Sequence, residues 1–251
     1  MTIINGELSI DNKINLDEGL IFGRAVFETI LIKNNPVFFN EHIARINSSA
    51  QSLGIKNFVC IDEISNLIKK YSINNCALKI ILSPENIILI TRDIPYKESD
   101  YKKGFSLNVS EILKNDTSNL PIHKWTGYIE NLFIRKEAVK NGFDDSILIN
   151  TKGKISETTI SNIFFIKNGQ IYTPSKNCGI LNGIIRNWII SNYPVTEGDY
   201  TLEEIINSDG AFLTNSLIGI IKISEINSSI MKEDILIDKI SKDYFNFTKE
   251  M

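Results

Sequence analysis

The chain has 251 residues, 43% of them hydrophobic and 23% charged, with a formal net charge of −3. That apolar fraction over this length supports two modest domains or one large one with a real core. The weakly acidic balance, with no concentrated basic block, excludes the electrostatic footprint of a nucleic-acid or anionic-membrane binder and leaves small molecules as the expected partners.

Cys60, Cys76 and Cys178 are odd in number and widely spaced, which fits neither a disulfide framework nor a zinc site. They read as buried, reduced thiols of a cytoplasmic protein. The N-terminus lacks a basic region followed by a long apolar stretch, and no window reaches the length of a membrane span. The expectation is a soluble, unexported protein.

Residues 1–40 alternate short apolar runs with turn signals at Asn5-Gly6, Asp11-Asn12 and Lys33-Asn34-Asn35-Pro36, the pattern of β-hairpins. Phe27-Glu28-Thr29-Ile30-Leu31-Ile32 and Val37-Phe38-Phe39 are the runs around the last turn. From Glu41 the period becomes helical: Ile43, Ile46, Ala50 and Leu53 share a face before Gly54 stops the pattern. A second helix is expected over 61–71, with Ile61, Ile64, Leu67 and Ile68 on one side, then strands over 77–82 and 87–91. The polar stretch Lys114-Asn115-Asp116-Thr117-Ser118-Asn119-Leu120-Pro121 has no period and ends in proline. It divides a domain over 1–113 from one over 123–251, with 114–122 as linker. Beyond it come a helix over 128–141, a strand over 146–150, a turn at Lys152-Gly153, a strand through Phe165, and the hairpin signal Asn168-Gly169.

Lys124 has apolar and aromatic neighbours rather than charges. Such an amine, if desolvated, has a lowered pKa and forms Schiff bases, although a solvated surface lysine is the commoner fate. Glu157 lies in the β-branched run Ile155-Ser156-Glu157-Thr158-Thr159, either as a solvated ladder charge or as a buried acid facing a pyridinium nitrogen. Thr158, Ser161 and Asn162 suit strand-edge hydrogen bonds or contacts to a cofactor. Leu181-Asn182-Gly183-Ile184-Ile185-Arg186 runs from a loop into a helix, whose free N–H groups make either a plain cap or a phosphate cradle. Thr214-Asn215-Ser216 ends a further apolar run and could finish such a cradle. Arg45 faces solvent or reaches inward to a phosphate. His42 and His123 are the only histidines, too few for a histidine-based metal site, and no metal is expected. An amine, a strand-borne acid and a glycine turn before a helix together point to pyridoxal phosphate chemistry.

The whole pattern resembles the class IV, or fold-type IV, pyridoxal phosphate enzymes. The likeness is carried in order by Gly19-Leu20-Ile21-Phe22-Gly23 with Phe27-Glu28-Thr29-Ile30, by Glu41-His42-Ile43-Ala44-Arg45-Ile46 with Ser48 to Ile55, by Lys124 with Tyr128, by the Glu157 strand, and by Leu181 to Arg186. It implies an α+β protein with a small N-terminal α/β domain and a larger C-terminal barrel-like α/β domain, usually a homodimer. By this resemblance Lys124 is the Schiff-base lysine and Glu157 the partner of the pyridine nitrogen. Arg45, the amides of Ile184 and Ile185, and Ser216 match phosphate-holding positions. Leu181 matches the residue on the ring face, and Tyr128 the residue near the phenolic oxygen.

Within the group, Phe27-Glu28-Thr29-Ile30 and the short length look most like aminodeoxychorismate lyase, which makes 4-aminobenzoate and pyruvate for folate synthesis. An aminotransferase of branched-chain or D-amino acids is the second expectation, and a cofactor-binding protein without turnover the third. Many lyases carry Gly-Asp-Gly where this chain has Gly23-Arg24-Ala25. That loop lies on the substrate side in the family, so Phe22, Arg24 and Thr29 are the substrate-side candidates.

Overall fold

A computed structural model describes residues 1–11, 13–249 and 251; Asn12 of the expected Asp11-Asn12 turn lies outside them. The chain divides into two compact units. One holds Met1–Pro95, His123–Tyr128 and Met251; the other holds Tyr96–Ile122 and the described chain from Ile129 to Lys249.

The first unit runs β1 (Thr2–Ile4), β2 (Glu7–Leu8), α1 (Glu18–Phe22), β3 (Val26–Ile32), α2 (Phe39–Ser52), α3 (Ile61–Lys70), β4 (Cys76–Leu82) and β5 (Ile87–Arg92). Among the described residues its strands form an antiparallel sheet in the order β2-β1-β5-β4-β3. Asn5 and Gly6 both have positive φ, 49° and 87°, the geometry a two-residue hairpin needs. On β3, Val26, Ile30 and Ile32 alternate into a core with Leu78, Ile80 and Leu82 of β4, and the helices supply Ile43, Ile46, Ala50 and Ile64. The expected helical faces therefore pack on this core, with Ile43, Ile46, Ala50 and Ile64 buried and Leu53, Ile61, Leu67 and Ile68 partly buried. Gly54, at φ +68°, closes α2 in the left-handed conformation that glycine adopts without penalty. Val37-Phe38-Phe39 does not continue as a strand: Phe38 turns left-handed at φ 53° and α2 starts at Phe39.

The second unit runs α4 (Glu98–Lys103), β6 (Phe105–Val109), α5 (Ile129–Lys140), β7 (Asp145–Ile149), β8 (Ile155–Thr158), β9 (Asn162–Lys167), β10 (Gln170–Pro174), α6 (Ile184–Asn192), β11 (Val195–Gly198), α7 (Leu202–Ile206), β12 (Gly210–Asn215), β13 (Gly219–Ile226), β14 (Ser229–Ile230) and α8 (Ile235–Lys249). Its mixed sheet has the order β11-β10-β9-β12-β13-β6-β7-β8, with β14 on β13. The two ends of this order approach one another, because Ile155 N of β8 donates to Tyr200 O, just past β11, at 2.8 Å. That curling makes the sheet barrel-like around Leu107, Ile147, Ile163, Phe165, Leu213 and Ile221.

Two expectations shift. The strand expected to run unbroken through Phe165 is β8 and β9, separated at 159–161 by a turn in which Thr158 N donates to Ser161 O at 2.8 Å. The change of unit falls at Tyr96 rather than at 114, because β6 pairs in parallel with both β13 and β7. Residues 123–128 return to the first unit, where Trp125 bridges Val26.

Candidate active site

In the first unit the chemistry gathers at one edge of β3. Glu28 shares the alternation of Val26 and Ile30, so it faces α2 and is fully buried. His42 and Arg45, three positions apart on α2, project from one face toward it. His42 Nδ1 lies 2.7 Å from Glu28 Oε2, while Arg45 Nε and Nη2 reach Oε1 and Oε2 at 2.6 and 2.8 Å. Burial alone would raise the Glu28 carboxyl, but the Arg45 guanidinium and His42 outweigh it and hold the group well below the usual carboxylate range. Burial lowers His42 below its ordinary 6.5, against the pull of the Glu28 carboxylate. The two-point fork fixes the plane of Arg45.

Lys124 sits on the open edge of the same strand. Phe27 N donates to Lys124 O at 2.8 Å, and Thr126 N donates to Ala25 O at 2.9 Å. The Lys124 ammonium lies 4.5 Å from the Phe27 ring centroid and 5.6 Å from that of Tyr128. Those two rings meet edge to face at 5.6 Å. The amine is thus half-buried between aromatic groups, with its charge felt at His42. Lys79 Nζ lies 4.4 Å from the Phe27 ring, and Thr29 is its cross-strand partner. Phe22 is 76% exposed at the end of α1. Arg24 braces the loop beside it: its guanidinium pairs with Glu18 and donates to Leu53 O at 3.0 Å and to Gly54 O.

In the second unit Glu157 is buried on β8, where both faces of the strand are covered. Three donors converge on its carboxylate. Asn162 Nδ2 and Leu181 N reach Oε2 at 3.0 and 3.1 Å, and the Lys114 ammonium contacts Oε1. Asn162 also donates to Leu181 O at 2.8 Å, which ties the 181–183 loop to β9. Gly183 is required at that junction, because a Cβ there would overlap Asn162 Oδ1. Gly183 then serves as N-cap of α6 with no side-chain cap, so the amides of Ile184 and Ile185 open the helix without a side-chain acceptor. Arg186, fully buried, locks this turn by donating to Asn182 Oδ1 at 3.2 Å and Pro174 O at 3.0 Å and pairing with Glu197. Thr214 stands opposite Asn162 in the β9–β12 register. Its buried Oγ1 has no hydrogen-bond partner among the described residues. Ser216 lies in the turn after β12, half-buried.

Lys124 and Tyr128 are therefore brought together in one unit with Arg45 close by, and Glu157, Leu181, Ile184 and Ile185 in the other. Sequence reasoning missed Glu28, His42 and Lys114 as partners of these residues. A lone carboxylate in the apolar strand Val26-Phe27-Glu28-Thr29-Ile30, at an inward position, is a signal for the first. Lys114 carried none, lying in a stretch that reads as linker.

Residues 25–226 match the model of the amino-transferase class IV family, and the chain belongs to that family. It is an enzyme of this pyridoxal-phosphate-dependent class, whose similar members are lyases and aminotransferases. A Rickettsia felis protein named a probable branched-chain-amino-acid aminotransferase is 30% identical over 262 residues, covering 94% of this chain and 90% of the relative. The aminodeoxychorismate lyase of Bacillus subtilis is 28% identical over 241 residues, covering 84% and 81%. A branched-chain amino acid aminotransferase from the source abbreviated T.th., solved with pyridoxamine 5'-phosphate, has the same fold, with a TM-score of 0.88 at 19% identity over 100% of this chain and 94% of that one. The fold-type IV architecture expected from the sequence is the one observed. No helix among the described residues is long and apolar enough to cross a membrane.

The residues present fit the family's cofactor. In the first unit, an amine among aromatic rings suits an aldehyde; in the second, taken by itself, a carboxylate ringed by donors suits a ring nitrogen, and a helix start without a side-chain cap suits a phosphate, as does the spare buried hydroxyl of Thr214 opposite Asn162.

Proposed function

We propose that this chain is a pyridoxal-phosphate-dependent aminodeoxychorismate lyase, converting 4-amino-4-deoxychorismate into 4-aminobenzoate and pyruvate in the cytoplasm. The observation that carries the cofactor chemistry is the Lys124 amine held between Phe27 and Tyr128, beside the Glu28-His42-Arg45 cluster. Bound pyridoxal phosphate supplies a carbonyl for the amine and a ring that accepts electrons from a neighbouring carbon. Lys124 would hold the cofactor through its amine, and as a free amine would take the proton from the substrate carbon bearing nitrogen. Glu157 holds a proton at the ring nitrogen. Arg45, the Ile184 and Ile185 amides and Ser216 bind the phosphate, Leu181 packs on the ring, and Tyr128 orients its phenolic oxygen. Departure of the enolpyruvyl group as pyruvate leaves an aromatic ring, which makes the elimination strongly downhill.

The lyase assignment within the class is supported by Phe27-Glu28-Thr29-Ile30 and the Bacillus subtilis relative. Transamination is the second reading, favoured by the larger number of similar proteins named branched-chain aminotransferases. There Lys124 would move the proton of the same carbon, and the substrate would leave as a keto acid once its amino group is passed to a second keto acid. Phe22, Arg24 and Thr29 are the substrate-side candidates in either case, Arg24 by bracing the loop. A homodimer is part of the proposal, supported by exposed Leu20, Ile21 and Phe22 on α1 and by exposed Ile129, Leu132 and Phe133 on α5.

The test is direct. The protein is incubated with aminodeoxychorismate and assayed for 4-aminobenzoate, alongside D-alanine or leucine with 2-oxoglutarate. 4-Aminobenzoate formation without keto-acid exchange supports the lyase; the reverse selects the aminotransferase. Borohydride should attach the cofactor to Lys124, and unchanged turnover in Lys124→Ala would end the mechanism.

A further inference from the structure

We propose that Lys114 is a positioning residue for Glu157, setting how tightly that carboxylate holds the proton on the cofactor's ring nitrogen. The inference rests on the proposed role of Glu157 and extends it to a residue outside the motifs that carry the family resemblance.

The pair is built into the second unit rather than met by chance. The Lys114 side chain is 11% exposed and that of Glu157 9%. A surface lysine samples many partners at little gain, whereas a buried ammonium must be paired or its desolvation is prohibitive. The backbone holds Lys114 in register: its N donates to Ile149 O at 2.8 Å, and it forms a parallel bridge with Asn150. Two residues on, Asp116 accepts from Thr151 Oγ1 at 2.6 Å and pairs with Lys152 at 2.7 Å. Gly179 lets the segment settle, since a Cβ there would come within 2.9 Å of Asp116 Cα. Residues 114–116, a stretch with the composition of a plain linker, are thus clamped against the acid.

The consequence is electrostatic. Glu157 Oε2 is taken by Asn162 and Leu181, and Oε1 by the ammonium. Each carboxylate oxygen has further lone-pair capacity, so a ring N–H can still be accepted. It is accepted by a carboxylate whose negative potential a cation already offsets. Lys114 therefore fixes the orientation of Glu157 and weakens its hold on the ring proton. Removing the positive charge leaves two neutral donors and a stronger partner for the ring.

The experiment uses the full-length protein reconstituted with pyridoxal phosphate labelled with nitrogen-15 in the ring, following the ring nitrogen's chemical shift against pH. In Lys114→Met the ring nitrogen should keep its proton to a pH higher by about one unit or more, about tenfold in proton affinity. Lys114→Arg should titrate as wild type. Circular dichroism and the melting temperature of the cofactor-free protein report whether the fold survives; Lys114→Gln serves if the methionine variant does not fold. A ring titration unchanged in the uncharged variant overturns the inference. Glu157→Gln separates the two claims: if it leaves the ring titration unmoved, the role of Glu157 itself falls, whereas if it shifts the titration and Lys114→Met does not, only the role of Lys114 falls.

Discussion

Glu28 and Arg45 meet through two hydrogen bonds, from Nε at 2.6 Å and from Nη2 at 2.8 Å, on the helix-covered face of β3. Removing one partner of such a buried pair leaves the other charge uncompensated. Glu28→Gln is expected to cost about 3 kcal/mol in stability at neutral pH, measured by urea unfolding. It should also weaken cofactor binding, because the guanidinium plane is no longer fixed.

The same cluster sets an acid limit. Both His42 and Glu28 have folded-state pKa values below their ordinary 6.5 and 4.5, so in each case the unfolded chain binds the additional proton. The stability His42 contributes is present above its unfolded value of 6.5 and drains as pH falls below it. That from Glu28 is present above its unfolded value of 4.5 and is lost on further acidification. Urea midpoints of the cofactor-free protein should decline in this order, and Glu28→Gln should flatten the lower limb. An acid limb of equal steepness in both proteins would assign the acid sensitivity elsewhere.

Asp145 is the opposite case. It is fully buried on β7; Oδ1 accepts from Thr159 Oγ1 and from Ser146 N at 2.8 Å, while Oδ2 has no partner among the described residues. Burial raises its carboxyl above the ordinary 3.8, against these hydrogen bonds. A raised carboxyl favours the fold below its unfolded pKa, and that advantage disappears as pH rises through the folded value. Asp145→Asn keeps the Oδ1 acceptor and removes the charge. It should be more stable than wild type at neutral pH by about 1 kcal/mol, with the difference shrinking toward about pH 4. Destabilisation at neutral pH would show that the buried anion is favourably held.

Gly183 tests the junction between Glu157 and α6. Its φ of −68° is open to alanine, so the objection is purely steric: the added methyl displaces Asn162, which donates to both Glu157 and Leu181 O. Gly183→Ala should lose about 1–3 kcal/mol, as for overpacking elsewhere, and bind pyridoxal phosphate at least about tenfold more weakly by spectral titration. Wild-type affinity would mean that Asn162 moves without consequence.

The apolar stripe of α5 bears on assembly. Ile129, Leu132, Phe133 and Val139 are exposed by 77, 54, 55 and 55%. Phe133→Glu should shift the protein toward half its native mass in sedimentation equilibrium if this surface joins two copies. A monomeric wild type, or a variant of unchanged mass, would place that stripe outside any such interface.

What the sequence determined by itself is local. The 3.6-residue spacing of Ile43, Ile46 and Ala50 defines α2, and Gly54 ends it. Asn168-Gly169, both at positive φ, turns β9 into β10 as the dipeptide requires. Lys124, Glu157 and Leu181 to Arg186 also stand out in the sequence, by residue type and short spacing, and the proposed cofactor roles start from them. Pairings across many residues were decided only by tertiary structure. Lys114 and Glu157 are 43 positions apart, and Lys114 reads as one more charge in a polar stretch until β7 places it against β8. Glu28 looks like an ordinary strand carboxylate until α2 folds over it with His42 and Arg45. Hydrophobic period and turn chemistry act over a few residues. Whether a charge ends in water or in a buried pair depends on which distant backbone segment covers it.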